Sequence, residues 1–397
     1  MQQSHASSSH TLLLLVLGSL VAFAPLSIDM YLPALPTIAR DFGASAGAVQ
    51  GTLALYFIGM ALGQLVYGPL SDRYGRKMPL VAGFTVYLLA SAGCALAPDL
   101  ATLMACRLAQ ALGGCAGVVI PMAIVRDRFG HADSARALSR LMLVMGAAPM
   151  LAPLLGAQLL AVSGWRAIFW TLAGCALAAL LMVRLALPET HAPARRHALS
   201  VGGTLRTWRA LLADRGFACH AVAGALASAG MFAYIAGSPF VLTSLHGLTP
   251  SQYGWVFGTN AFGLVVAAQL NHRLLARHHP DRVLRRALHA FLLVALALLA
   301  AAVWSAPTAV LLVALFCYVA LLGMITPNAS AAAMALAGDK AGNAAALLGT
   351  IRFGAAALAG AAVGASATGM ALGMLVCAAI AWTARSLAQR GVRQAGA

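Results

Sequence analysis

Gly68-Pro69-Leu70-Ser71-Asp72-Arg73-Tyr74-Gly75-Arg76-Lys77 is the stretch whose reading decides the fold. It separates two apolar runs, near 47–68 and 78–97, each long enough to cross the hydrocarbon core of a bilayer. Asp72, Arg73, Arg76 and Lys77 crowd together here, so the stretch must leave the hydrocarbon, and it is too short to be a domain. Pro69 and Gly75 predict a tight reversal. Asp72 can pair with a neighbouring arginine or accept from a helix N-terminus. As a bare basic loop it would only mark the cytoplasmic side.

Composition fits that reading. Of 397 residues 61% are hydrophobic and 9% charged, against about 25% charged in an ordinary soluble domain. The 39 glycines and 16 prolines suit membrane helices, which tolerate both. A net charge of +16 would fit nucleic acid if it were gathered in one patch. It is instead scattered over short links between apolar runs, so the basic residues read as topology determinants and no nucleic-acid partner is expected. The 7 cysteines lie in or beside apolar runs without C-x-x-C spacing and read as small packing thiols. No metal or cofactor is expected. The first apolar run lacks a positive region before it and carries Pro25 after its only small-residue triplet, so it reads as a retained span.

Apolar runs bounded by charge, Gly or Pro predict twelve spans, near 12–33, 47–68, 78–97, 100–125, 137–162, 166–187, 217–244, 253–272, 284–303, 307–336, 343–364 and 367–385. The polar stretch His191–Arg215 is the one real linker. The expected organisation is therefore a six-helix bundle over 1–188, a cytoplasmic linker over 189–216 and a second six-helix bundle over 217–397. Placing both termini in the cytoplasm leaves only Arg40 and Arg166 outside, with Arg107 and Arg352 within spans. Six plus six implies paired halves. Gln269-Leu270-Asn271-His272-Arg273, with Arg277 beyond, is a worn echo of the first stretch between the eighth and ninth spans.

Charges inside a span usually serve function. Asp29 is the only acid so placed, four residues before Pro33. Arg107 lies about 10 Å into the fourth span from the same side. The two are expected at similar depth, either as a static ion pair or as a titratable site whose proton competes with substrate or with the arginine. Arg126-Asp127-Arg128 ends the fourth span, and Asp127 is expected to bridge to Arg73 or Arg76. Pro149, Pro153 and Gly156 predict a kinked, closely packed fifth span. Arg352 has three open readings: lining an aqueous cavity, touching the Asp72 stretch, or lying nearer the cytoplasm. A substrate cavity is expected between the halves, with Tyr31, Gln110, Tyr234, Asn260, Phe316 and Asn328 as lining candidates. Few polar groups there suit amphipathic molecules better than sugars or phosphates.

Gly68, Leu70, Asp72, Arg73, Gly75, Arg76, Lys77 and Leu80 resemble, without a gap, the signature between helices 2 and 3 of the major facilitator superfamily. The resemblance implies an all-α fold of twelve transmembrane helices in two six-helix halves, with this stretch and Arg126–Asp127 as a conformational latch on the cytoplasmic side. Asp29-Met30-Tyr31-Leu32-Pro33-Ala34-Leu35-Pro36 looks like the helix 1 signature of the Bcr/CflA branch of drug:proton antiporters. Arg107-Leu108-Ala109-Gln110-Ala111-Leu112-Gly113 is similar to that branch's helix 4 motif, with Ala111 in place of a glycine. The region around Pro149–Gly156 resembles an exporter motif of helix 5, with Ala152 and Ala157 replacing glycines. What the resemblance implies is a monomeric inner-membrane exporter of chloramphenicol- or bicyclomycin-like compounds. It would work by alternating access on the proton gradient, with Asp29 and Arg107 in proton coupling. A proton-coupled transporter of a small metabolite is the alternative. No Ser/His/Asp set, H-E-x-x-H or nucleotide-binding glycine loop points to an enzyme.

Overall fold

The computed structural model describes residues 2–129, 131–190, 201–364 and 366–395, and it is helical throughout. The helices are α1 Gln2–Asp29, α2 Leu35–Asp41, α3 Ala46–Tyr74, α4 Lys77–Leu96, α5 Leu100–Arg128, α6 His131–Ser163 and α7 Trp165–Ala186. They continue with α8 Val201–Ala213, α9 Arg215–Pro239, α10 Pro250–Leu275, α11 Pro280–Val303, α12 Thr308–Ala335, α13 Ala341–Ala362 and α14 Ala367–Ala395. Among the described residues 11 helical segments are long and apolar enough to cross a membrane. The remaining expected span, α10, has 26 residues but carries Asn260, Gln269, Asn271, His272 and Arg273. Those polar residues, not a lack of length, separate it from the others.

Helix ends differ from expectation where proline and glycine act. The Gly68–Lys77 stretch is not a loop: α3 runs through Pro69 to Tyr74 and α4 begins at Lys77. Gly75 alone makes the reversal, at φ 88°, a backbone conformation that a side chain would strain. The echo at Gln269–Arg273 is likewise helical, the last turns of α10. The first span, expected to continue to 33, ends instead at Asp29, followed by a 3₁₀ turn over Leu32–Ala34 and the short α2. Pro33 has no N–H for a helical bond to Asp29 and disfavours helical backbone at Leu32, so the break is local chemistry. The expected linker contains α8, in which Trp208 and Leu211 are buried at helical spacing. Residues 191–200 of that linker lie outside the described residues.

The chain packs as two compact units, Met1–Ala34 with Ile58–Ser200, and Leu35–Phe57 with Val201–Ala397. In the first, α4 lies along α5 and α7, while α1 lies against α5, α6 and α7. The α4–α5 seam is built from small buried residues, Gly83, Gly113, Ala116 and Gly117, which let backbones approach where the hydrophobic effect cannot hold helices together.

In the second unit α9 is the hub, packed by α12, α13 and α14, with α12 also held by α10 and α11. Tyr318 on α12 donates to the Met374 carbonyl of α14 at 3.0 Å and packs on Phe291 of α11 with centroids 4.1 Å apart. The N–H of Phe240 turns to the Gly237 carbonyl. Gln50 Nε2 donates to the neighbouring Ala236 carbonyl at 3.1 Å and to the Gly364 carbonyl beyond α13 at 2.8 Å. One amide thus ties the ends of two helices.

Candidate functional site

The end of α1 builds the first cluster. Carbonyls in the last turn of a helix lose their intrahelical donors. Ser27 lies in that turn, and Arg107 Nη1 on α5 donates to its carbonyl at 3.0 Å. The same Nη1 donates to Gln110 Oε1 at 2.6 Å, one turn along α5. Gln110 Nε2 in turn donates to Ser91 Oγ on α4 at 2.8 Å. The guanidinium carbon lies 4.6 Å from the Tyr31 ring centroid and 5.8 Å from that of Phe169 on α7. Arg107, Gln110 and Tyr31 are all 0% exposed. A cation without water is held here by carbonyl, amide and ring faces.

Asp29 sits beside this cluster but outside its bonding. It is 4% exposed and the only buried acid among the described residues. Its carboxylate makes no hydrogen bond or ion pair there; the ion pairs are Arg76–Asp72, Arg76–Asp127, Arg136–Asp133 and Arg385–Asp281. Of the two readings of Asp29 and Arg107, the static ion pair is therefore not formed. The helix break accounts for it, because it turns the Ser27 carbonyl and the Tyr31 ring to the arginine instead.

The next residue, Met30, explains Gly156. A Cβ on Gly156 would collide with the Met30 carbonyl, so α6 can lie against the break only with glycine at that position. Pro149 and Pro153 lie within α6, a helix that continues through both to Ser163.

The second cluster is the Asp72–Lys77 region. Arg76 Nε donates to Asp127 Oδ2 at 2.8 Å, and Nη1 donates to Asp72 Oδ1 at 2.6 Å and to Ser71 Oγ at 2.8 Å. Asp127 therefore bridges to Arg76, not Arg73. Arg73 stacks on Tyr74 at 5.2 Å, Ser71 Oγ donates in turn to the Gly68 carbonyl at 2.9 Å, and Arg126 takes no part among the described residues. Burial pulls the Arg76 pKa down, but hydrogen bonds to Asp127 and Asp72 outweigh it and hold the guanidinium above its ordinary value. Glu189, read in the sequence as linker, completes the cluster: its carboxylate accepts from the backbone N–H of Arg76 at 2.9 Å and of Lys77 at 3.2 Å. That is an anion at the N-terminus of α4. Lys77 Nζ donates to the Arg184 carbonyl at 2.8 Å. All these partners belong to the first unit.

The remaining lining candidates belong to the second unit. Asn260 Nδ2 donates to the Tyr234 hydroxyl at 2.9 Å, and the Tyr234 ring stacks on Phe257 with centroids 5.7 Å apart. Asn328 does not join this pair. Its Nδ2 donates to Asn271 Oδ1 at 2.7 Å, linking α12 to the end of α10. Phe316 packs against the backbone of Gly263. Sequence reading missed Glu189 and Gln50, each a single polar residue in or beside an apolar run, and named Asn271 only within the echo at Gln269–Arg273.

A polytopic helical bundle with buried charge at a broken helix and a charged link after its second long span defines a membrane transporter. The family model described as Major Facilitator Superfamily matches residues 17–361, and the chain belongs to that superfamily. It is 35% identical to the Bacillus subtilis protein named uncharacterized MFS-type transporter YdgK over 338 residues, 85% of this chain and 84% of that one. It is 29% identical to the bicyclomycin resistance protein homolog of Haemophilus influenzae over 388 residues, 95% of this chain and 98% of that protein. It is also 32% identical to the multidrug resistance protein MdtL of Escherichia coli over 243 residues, 61% of each chain. These relatives match the Bcr/CflA likeness of the helix 1 and helix 4 stretches. A bacterial homolog of the lysosomal transporter Spinster shares the fold at TM-score 0.74 and 16% identity, covering 96% of this chain and 97% of that structure. The chain is a multi-pass membrane transporter of a small molecule, not an enzyme.

Proposed function

We propose that the protein is a proton-coupled exporter of small amphipathic compounds of the bicyclomycin and chloramphenicol type. It lies in the cytoplasmic membrane of a bacterium with both termini inside, and works as a monomer by alternating access. One observation carries the reading: Asp29 is the only buried acid among the described residues, and its carboxylate makes no hydrogen bond or ion pair with any of them. A structural carboxylate would be paired or hydrogen-bonded. An unpaired one at a helix break can take up and release a proton without dismantling its surroundings. Arg107 supports the break through Ser27 and Tyr31. The exporter direction is supported by the relatives named for bicyclomycin and multidrug resistance.

One charge crossing 100 mV supplies about 2.3 kcal/mol, roughly a fiftyfold gradient. The test is transport in proteoliposomes with an imposed pH gradient, following chloramphenicol and protons together. Asp29→Asn is expected to abolish gradient-driven transport while keeping drug binding, and Asp29→Glu to retain part of the activity. Gradient-driven transport by Asp29→Asn at the wild-type rate would overturn the proton role.

A further inference from the structure

The second unit holds a cation embedded in a span that the transport reading above does not use. Arg352 is the twelfth of the 22 residues of α13, about 17 Å along the helix from its start. That places it deep within a span, away from lipid headgroups at either end. Its guanidinium carbon lies 6.0 Å from the ring centroids of both Phe232 on α9 and Phe353 on α13. Phe57 extends the aromatic wall, its ring 4.5 Å from Phe232.

Among the described residues of the unit no carboxylate answers this charge. Asp281 is paired with Arg385, Asp214 caps α9 through the Phe217 N–H, and Asp339 lies in the 3₁₀ turn before α13. Asp41 closes α2. Among the described residues Arg352 has no hydrogen-bond or ion-pair partner, and its Nε is sealed from solvent. The side chain as a whole is only partly buried, so the rest of the guanidinium reaches open space. One turn from Phe232 along α9, the buried Ser228 hydroxyl also lacks a partner. Arg107, the other embedded cation, by contrast donates from Nη1 to the Ser27 carbonyl and to Gln110 of its own unit.

A planar fork of donors beside three phenyl rings has one good complement. A carboxylate accepts the fork in a bidentate pair, and an aryl group attached to it stacks on the rings. We propose that Arg352, Phe232, Phe353 and Phe57 form a binding site for aromatic carboxylates, which adds weakly acidic aromatic compounds to the molecules this transporter handles. Binding through this site needs no proton coupling, and so stands apart from the role assigned to Asp29, though its use in export rests on that reading.

The probe is 2-naphthoate, with the neutral 2-naphthamide as its control, titrated calorimetrically into the purified full-length protein in uncharged detergent. The wild type is expected to prefer the carboxylate by about tenfold or more, as a charge-assisted bidentate pair requires. Arg352→Gln should erase the preference while naphthamide still binds through the rings, which also reports that the variant is folded. Arg352→Lys should keep part of it, and Phe232→Leu should weaken both probes. No naphthoate binding, equal affinity for the two probes, or a preference that survives Arg352→Gln would each overturn the site. Gradient-driven export of uncharged chloramphenicol, run alongside, separates the two ideas: its loss in Asp29→Asn leaves the naphthoate site standing, and its survival there removes the proton role alone.

Discussion

Arg76 stands between two carboxylates of unequal exposure, and that difference sets a measurable order. Its own side chain is 7% exposed, that of Asp127 19% and that of Asp72 54%. The Asp127 leg is a two-point contact, Nε to Oδ2 at 2.8 Å and Nη2 to Oδ1 at 3.5 Å, across helices α4 and α5. The Asp72 leg is shorter, 2.6 Å, but joins residues four apart across the Gly75 reversal at a solvated edge. If length decided, Asp72 would matter more. If desolvation decides, Asp127 does. A hydrogen bond to a charged group in a shielded place contributes about 1.5–3 kcal/mol, whereas an exposed pair contributes about 0.2–1 kcal/mol. Asp127→Asn should therefore cost more than Asp72→Asn by roughly 1–2 kcal/mol. Arg76→Gln should cost the most, because it leaves Asp127 shielded and unpaired.

Thermal melting in detergent can read this order, using a thiol-reactive dye against the buried Cys94, Cys115 and Cys377. The midpoint should fall by about 4 °C for Asp127→Asn and under about 2 °C for Asp72→Asn. An equal or larger fall for Asp72→Asn would refute the ranking by exposure. The Arg76 side adds no pH dependence in the working range. Its folded pKa is raised, so its contribution is complete below the unfolded value and is lost only as pH rises through the folded one, in strong alkali.

Asp72→Asn, nearly neutral for stability, is expected to cripple transport, measured as drug efflux by equal amounts of membrane-inserted protein. Gly75→Val should impair turnover and lower yield, since φ 88° is strained for a β-branched residue, while Gly75→Asn should be milder. Gly156→Val should prevent α6 from closing on Met30 and lose the folded protein in a size-exclusion assay, with Gly156→Ala intermediate. Arg107→Ala should be less stable than Asp29→Asn, because it strips a donor from the Ser27 carbonyl and from Gln110 inside a dry cluster.

Much of the fold was legible because hydropathy and length are nearly sufficient in a bilayer, where backbone groups have no partner but their own helix. The Asp127–Arg76 bridge was legible too, since both residues end apolar runs on the same side. What was not legible depended on local backbone chemistry and on single polar groups. The reversal was assigned to Pro69 and Gly75 together, although a proline can sit within a membrane helix where its neighbours re-satisfy the freed groups. The break after Asp29 had its signal in Pro33 and Pro36, which disfavour helix in the residues before them. Once the break is placed, the Ser27 carbonyl becomes the acceptor for Arg107, and the ion pair with Asp29 loses its geometry. Glu189 follows Pro188 at the end of α7, and nothing in its neighbours marks it as the acceptor for the start of α4. Gln50 is a single amide whose two acceptors are 186 and 314 residues away, a separation that periodicity cannot reveal.

The two embedded arginines are alike in sequence terms: each is a lone cation in an apolar run with aromatic residues in its surroundings. The structure makes them different. Arg107 holds the Ser27 carbonyl, Gln110 and the Tyr31 and Phe169 faces, so its charge is used in shaping the end of α1. A ligand competing for it would have to break bonds that position Asp29. Arg352 offers a fork with no oxygen partner among the described residues, its Nε buried and unbonded. An anion arriving there breaks nothing and removes the cost of a shielded charge. By that reasoning, mutation of Arg107 should damage every transport activity together, whereas mutation of Arg352 should fall on acidic substrates and spare neutral ones. The unequal bonding of two similar side chains separates framework from ligand site, and no single-residue reading of the sequence could have drawn that line.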